Sequence, residues 1–199
     1  MSSRKPSQHN NDSHKVDQST KQFLKRTATA LRDASITPEE VTSFVGSVLL
    51  EIRNQEVFLA SNVLASPLLE TIIAYTTPLQ LRKFCAILLP RFDSIITSKA
   101  GSHFMESMFS YLYTLFSSDS VNADDTTPSI SSLLLSFYSA LLPRCRYYIR
   151  NRYAAHVIKS AGRLAHTVIS PPSNLNQATR IQIGSRKPSP FHASFLSSL

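Results

Sequence analysis

The sequence predicts an all-α fold, an α-solenoid in which short helical units stack on one another, and three observations carry that expectation. The first is internal repetition. Asn62-Val-Leu-Ala65-Ser66-Pro67-Leu68-Leu69-Glu70, Ser98-Lys-Ala-Gly101-Ser102-His103-Phe104-Met105-Glu106 and Asn151-Arg-Tyr-Ala154-Ala155-His156-Val157-Ile158-Lys159 share the order small, variable, apolar, apolar, long polar. Ser66 and Ser102 are 36 positions apart, a period typical of one helical supersecondary unit that must stack on its neighbours to bury an apolar face. Ser102 and Ala155 are 53 apart, and the stretch 117–128, rich in Ser, Asp and Thr, accounts for the excess. The second observation is that the longer apolar patterns recur at helical spacing. The third is that 4 glycines in 199 residues are too few for a Gly-rich phosphate loop or a many-turned β protein.

Taken in order, residues 1–20 are Ser, Asn, Gln, His and Lys with almost nothing to bury, and are expected to form a disordered arm. From Lys21 a short amphipathic stripe runs through Phe23, Leu24, Thr27 and Leu31. Thr37-Pro38-Glu39-Glu40 is a helix start: a capping hydroxyl, a proline at the first turn, and a glutamate placed to close a capping box. The helix it opens carries Val41, Phe44, Val45, Val48, Leu49 and Ile52 on one face. Thr77-Pro78 repeats the signal, followed by Leu81, Phe84, Cys85, Leu88 and Leu89 at core-facing spacing until Pro90.

A short element from Phe92 to Thr97 leads into a helix from near Ala100 through Met105, Met108, Phe109, Leu112 and Leu115. Thr127-Pro128 gives a third start, and Leu133 to Leu142, a break at Pro143, the segment Arg144 to Tyr153 and a helix from Ala154 retrace the same order. The repeat domain therefore spans 21–169 with about three units, and 170–199, where the pattern dissolves, is expected to be an irregular tail: either the array ends there in disorder or the chain is a fragment of a longer array.

Composition bounds the function. A content of 42% hydrophobic residues suffices for one cored domain. Lys and Arg number 21 against 13 Asp and Glu, a formal charge of +8, which suits a polyanion because phosphate neutralisation releases condensed counterions. Cys85 and Cys145, with no CxxC and no His cluster, read as buried thiols of a reducing compartment. Without an 18-residue apolar run or the apolar core of a signal peptide, the expectation is an intracellular chain with no membrane partner.

Within the signature, Ser102, His103 and Glu106 stand at helix positions that can project together, with Ser66 and Glu70 before them and His156 and Lys159 after. Such triplets, stacked, supply what a helical repeat needs to read one unpaired base: two side chains for its edge and one to stack. The densest mixture of cations and aromatics is Arg144, Arg146, Tyr147, Tyr148, Arg150, Arg152 and Tyr153, a combination that holds phosphates and stacks bases.

These signatures resemble the RNA-facing helix of pumilio-type (PUF) repeats, and most of all the divergent nucleolar protein nine branch. That branch is similar also in its amphipathic opening, the stretch Glu51-Ile-Arg-Asn-Gln-Glu56, and Leu59-Ala60-Ser61-Asn62. The resemblance covers roughly residues 20–168 and implies pumilio-like helical repeats, a nucleolar location, no catalysis and no cofactor. It also implies single-stranded RNA, of pre-ribosomal origin and in small-subunit maturation, as the partner, with pre-ribosomal proteins beside it. By position it makes Ser66 with Glu70 and Ser102 with Glu106 the guanine-reading pairs, and His103 and His156 stacking residues. Arg146, Arg150, Arg152 and Lys159 complete the candidate RNA-binding set. Pro67 departs from the pattern as a poor stacking residue, and Ala155 with Lys159 cannot make the Ser-xxx-Glu contact.

Other chemistries lack support. His103 and His156 have no ligand at metal-site spacing, the neighbours Ser102 and His103 point apart on a helix, and Asp124-Asp125 sits in a low-complexity loop, so neither a metal, an enzyme nor a small-molecule substrate is expected. The alternative is a scaffold of the HEAT or armadillo kind that binds a protein, which would expose apolar residues where an RNA binder places charge.

Overall fold

A computed structural model describes residues 16–116 and 126–169. The expected arm up to residue 15, residues 117–125 of the expected insertion 117–128 and the tail 170–199 lie outside the described residues. The described residues form ten α-helices: α1 (Gln18–Arg32), α2 (Pro38–Glu51), α3 (Glu56–Ser61), α4 (Ser66–Ile73), α5 (Pro78–Leu88), α6 (Phe92–Ile96), α7 (Lys99–Phe116), α8 (Ile130–Leu141), α9 (Cys145–Arg150) and α10 (Ala154–Ile169). A 3₁₀ turn precedes α6 (Leu89–Arg91) and another precedes α9 (Leu142–Arg144), each built on a Leu-Pro-Arg sequence.

The unit is a long helix, a short helix and the signature-bearing helix, repeated as α2–α4, α5–α7 and α8–α10. Helix α1 packs on α4 as α4 packs on α7 and α7 on α10, so one layer is a row of four stacked helices. The signature helices pack on one another more extensively than α5 packs on α8. The all-α repeat architecture expected from the sequence is thus the one formed.

Local signals explain the starts. Asp17 caps α1, accepting from the backbone N–H of Ser19 at 3.1 Å, so Gln18, Ser19 and Thr20 are helical rather than part of the arm. Helix α1 had enough apolar surface (Leu24, Ala28 and Leu31 are buried) to order that first turn. At Thr37 the Glu40 carboxylate accepts from the Thr37 hydroxyl at 2.8 Å. At Thr77 the capping box is reciprocal: the Gln80 N–H donates to Thr77 Oγ1 (3.3 Å) and the Thr77 N–H to Gln80 Oε1 (3.0 Å). The third start falls two residues beyond Thr127, at Ser129, whose hydroxyl accepts from the Ser132 N–H at 3.1 Å. The Thr127 carbonyl is occupied instead by the buried Arg82, which donates to it from Nη1 at 3.5 Å.

The core runs without interruption through all units. Its densest knot joins the second and third, where Phe92, Phe109 and Phe137 meet with ring centroids 5.0–6.4 Å apart in edge-on and tilted pairs. Period-related contacts recur there: Cys85 Sγ lies 3.4 Å from Met108 Sδ, and 53 positions later the Tyr138 hydroxyl donates to the Ala161 carbonyl at 2.6 Å. Both thiols are free, but only Cys85 is buried; Cys145 is partly exposed, since α9 lies at the edge of the short-helix row.

Candidate nucleic-acid interface

Each signature helix is launched by its first signature residue. Asn62 Oδ1 accepts from the N–H groups of Leu64 (2.9 Å) and Ala65 (3.2 Å), Asn151 Oδ1 from Tyr153 (2.9 Å) and Ala154 (3.0 Å), and Ser98 Oγ from Gly101 (3.0 Å). The recurrent Asn or Ser is therefore a cap that satisfies the otherwise unpaired donors of the first turn. Pro67 falls in the opening turn of α4, where its missing N–H costs no helical hydrogen bond.

The structure corrects one expectation. Ser66 and Ser102 do not face outward: they are 3% and 1% exposed, sealed in the joints between signature helices. Ser66 Oγ points at the Ala100 carbonyl of the next unit (3.5 Å), and Ser102 Oγ donates to the Lys99 carbonyl (3.0 Å). The physical reason is the stacking itself. The position one turn before Leu69 or Met105, both fully buried, lies beneath the following helix, and only a small residue fits there. Neither hydroxyl is available to a base edge in this arrangement.

The signature positions left accessible are Pro67, His103 and His156, all exposed, and Glu70, Glu106 and Lys159, the last exposed and the two acids half-buried. His103 Nδ1 lies 3.4 Å from Glu106 Oε2, so these two present a joined polar edge on α7. Each acid also reaches forward to the next unit. Glu70 Oε1 accepts from Ser107 Oγ at 2.6 Å and Glu106 Oε1 from Ser160 Oγ at 3.2 Å, while Arg32 of α1 donates to Thr71 Oγ1 at 2.9 Å. Thr71, Ser107 and Ser160 occupy one position, the residue after the signature, in all three units. That hydroxyl row was legible in the sequence as a registered column and was not singled out there. A carboxylate offers more acceptor sites than one serine uses, so the latch leaves Glu106 able to accept further donors.

Reading the accessible positions unit by unit gives a charge progression. The first unit presents Val63, Pro67, Glu70 and Ala74, the second Lys99, His103, Glu106 and Ser110, and the third Arg152, His156, Lys159 and Arg163. His156, Lys159 and Arg163 follow at i, i+3 and i+7 along α10 and form one stripe, with Arg152 just before the helix. Arg152 stacks over the Tyr153 ring at 4.9 Å, which holds the guanidinium on a planar support. Arg150 is exposed at the end of α9.

Arg146 and Arg144 belong to another face. Arg144 Nη1 lies 2.9 Å from Asp93 Oδ2, and the buried Tyr148 donates its hydroxyl to Asp93 Oδ1 at 2.8 Å, clamping α9 to α6. Burial, then the bond to Asp93, holds the Tyr148 hydroxyl above the ordinary tyrosine range. Arg146 is exposed on α9 at the position that Asp93 occupies on α6. The sequence thus grouped in one cluster residues that the fold divides between a clamp, an end face and the signature layer.

Among the described residues no group of three or more His, Cys, Asp or Glu could hold a metal ion, and no helix is long and apolar enough to cross a membrane.

Comparison with known proteins agrees with this architecture. The model of the NOP9-like PUF repeat domain matches residues 54–187. The chain is 26% identical over 149 residues to Nucleolar protein 9 of Meyerozyma guilliermondii, covering 72% of this chain and 21% of that protein. It is 25% identical over 146 residues to Nucleolar protein 9 of Yarrowia lipolytica, covering 72% of this chain and 20% of that one. It therefore spans about a fifth of the length of these curated relatives. Among solved structures, APUM23-GGAAUUGACGG superposes with a TM-score of 0.62 at 23% identity, over 73% of this chain and 26% of that one. APUM23-GGAGUUGACGG does so at 0.61 and 25% identity, with the same coverage. With two-thirds of its length matched by the family's model and its helices stacked in the same repeating order, the chain belongs to the NOP9-like PUF repeat domain family.

Proposed function

We propose that this chain binds single-stranded RNA along its signature layer, and that it does so in the nucleolus as part of small-subunit pre-ribosomal RNA maturation, among pre-ribosomal proteins. The observation that carries the reading is the progression of accessible charge along that layer, ending in the stripe Arg152, His156, Lys159 and Arg163 beside Arg150. Its family membership and the nucleolar name of its relatives point the same way. In this reading the cations hold phosphates, His103 and His156 stack on bases, and Glu106 accepts from the donor edge of guanine. Glu70 serves the same role less freely because Ser107 already donates to it at 2.6 Å. Ser66 and Ser102 set the helix spacing. A protein-binding scaffold would instead expose apolar side chains all along this layer, whereas here Val63, Leu64 and Tyr113 are exposed amid charged and polar positions.

The test is filter binding of a guanine-containing single-stranded RNA at two salt concentrations. Affinity should fall steeply with salt, and Arg150→Ala should weaken all sequences alike while reducing the logarithmic salt slope by about 0.7, one phosphate's worth. Glu106→Ala should relax the preference for guanine. Binding that ignores salt would overturn the proposal.

A further inference from the structure

Helix α1 is built as a signature helix, although no signature is legible in its sequence. Thr27, Ala28 and Leu31 are buried, and so are Ala65, Ser66 and Leu69 at α4 and Gly101, Ser102 and Met105 in α7. Leu31 and Leu69 are 38 positions apart, close to the 36 between Leu69 and Met105. The hydrogen bonds between helices keep the same register. Arg32 reaches Thr71 Oγ1 at 2.9 Å, just as Glu70 meets Ser107 and Glu106 meets Ser160 in the following joints. Arg32 therefore occupies on α1 the place of Glu70 and Glu106.

That register fixes what α1 presents to the layer: Lys25, Thr29 and Arg32, all exposed, at i, i+4 and i+7 on one face. They stand where the first unit has Val63, Pro67 and Glu70 and the second has Lys99, His103 and Glu106. Along the row of four helices the acids Glu70 and Glu106 are thus central, and cations close both ends. Arg32 gives one N–H to Thr71, and a guanidinium carries five donors and no acceptor. Lysine also only donates. Neither can accept from the donor edge of guanine as Glu106 can; both suit the anionic oxygens of phosphate.

We propose that α1 is a further RNA-facing helix, on which Lys25 and Arg32 hold backbone phosphates of the strand whose bases lie on α4 and α7. Thr29, at the stacking position, has no ring, so no base is selected there. The site rests on the RNA-binding reading above and extends it to a helix that precedes residues 54–187, the span matched by the family's model.

The experiment is filter binding of single-stranded RNA across a salt series, on the full chain and its variants. Lys25→Ala and Arg32→Ala should each lower the logarithmic salt slope by about 0.7, equally for RNAs with and without guanine. Arg32→Lys should restore the slope, because it keeps the charge. Thr71→Val, which removes the partner of Arg32 but no charge, should leave it unchanged, as should Lys83→Ala, an exposed cation on α5 outside the layer. A loss no larger than that of Lys83→Ala, a loss that Arg32→Lys does not repair, or a loss confined to one base identity would overturn the site on α1. If the parent chain binds with a steep salt dependence and the α1 variants match it, this site fails while the function proposed above stands; if the parent ignores salt, both fail.

Discussion

The same substitution at two glycines should move stability in opposite directions. Gly101 opens the signature helix of the second unit in close contact with the end of α6. A Cβ there would sit 2.3 Å from the Ile95 carbonyl oxygen, 2.6 Å from Ser98 Oγ and 2.7 Å from Ile95 Cγ2. The nearest atom is backbone and the next is the cap of α7 itself, so relief requires moving α6 relative to α7. Overpacking of that kind costs about 1–3 kcal/mol. Gly162 lies exposed in α10 and a Cβ there would meet nothing within 4 Å. Replacing it removes only the backbone freedom of a mid-helix glycine, a gain of roughly 0.5–1 kcal/mol.

At about 2–4 °C of Tm per kcal/mol for a chain of this size, Gly101→Ala should lower the midpoint by about 2–12 °C and Gly162→Ala should raise it by about 1–4 °C. Thermal unfolding followed by circular dichroism reads both, and urea midpoints check them. A Gly101→Ala variant as stable as the parent would refute the tight contact between α6 and α7, and with it the reason a glycine stands where the neighbouring units carry Ala65 and Ala154.

Three further expectations concern the joints and the thiols. A double-mutant cycle on Asp93→Ala and Tyr148→Phe should return a coupling of roughly 1 kcal/mol, below the usual range for a hydrogen bond to a charged group because Asp93 is itself half exposed; a coupling near zero would count against the clamp. The Tyr148 hydroxyl titrates above its ordinary value in the folded chain, so its contribution is complete below the unfolded tyrosine range and is lost as pH rises beyond it. Tyr148→Phe should flatten that alkaline loss in denaturant midpoints taken across pH. Burial pushes the Cys85 thiol far up, so iodoacetamide at mildly alkaline pH should modify Cys145 and leave Cys85 untouched until urea unfolds the chain, as mass spectrometry of the peptides would record.

Much of the fold follows from patterns one can count along the chain. The signature interval, the Thr-Pro starts at Thr37 and Thr77, and the apolar faces from Val41 to Ile52 and from Leu81 to Leu89 all depend on residues within one or two turns of each other. Local hydrogen bonding and helical period settle them whatever the rest of the molecule does. The third start stands at Ser129 rather than Thr127, whose carbonyl accepts from Arg82, far off in sequence.

The candidate site was legible only in part. Period alone says which residues share a helix face, and it placed Ser102, His103 and Glu106 together on that ground. It cannot say which side of that face the next helix will cover. Ser66 and Ser102 are sealed in the joints between signature helices, whereas His103 and Glu106 stay accessible on α7 and His156 and Lys159 are exposed on α10. The Arg and Tyr cluster was divided in the same way, Tyr148 going inward to Asp93 and Arg146 outward to the end face. The sequence by itself determined that helices would form, where they would begin, and that they would repeat, since short-range bonding and apolar spacing suffice for that. Which signature residues meet solvent, and which latch one unit to the next, was decided by packing between helices 36 to 53 residues apart, a long-range burial that no local pattern encodes.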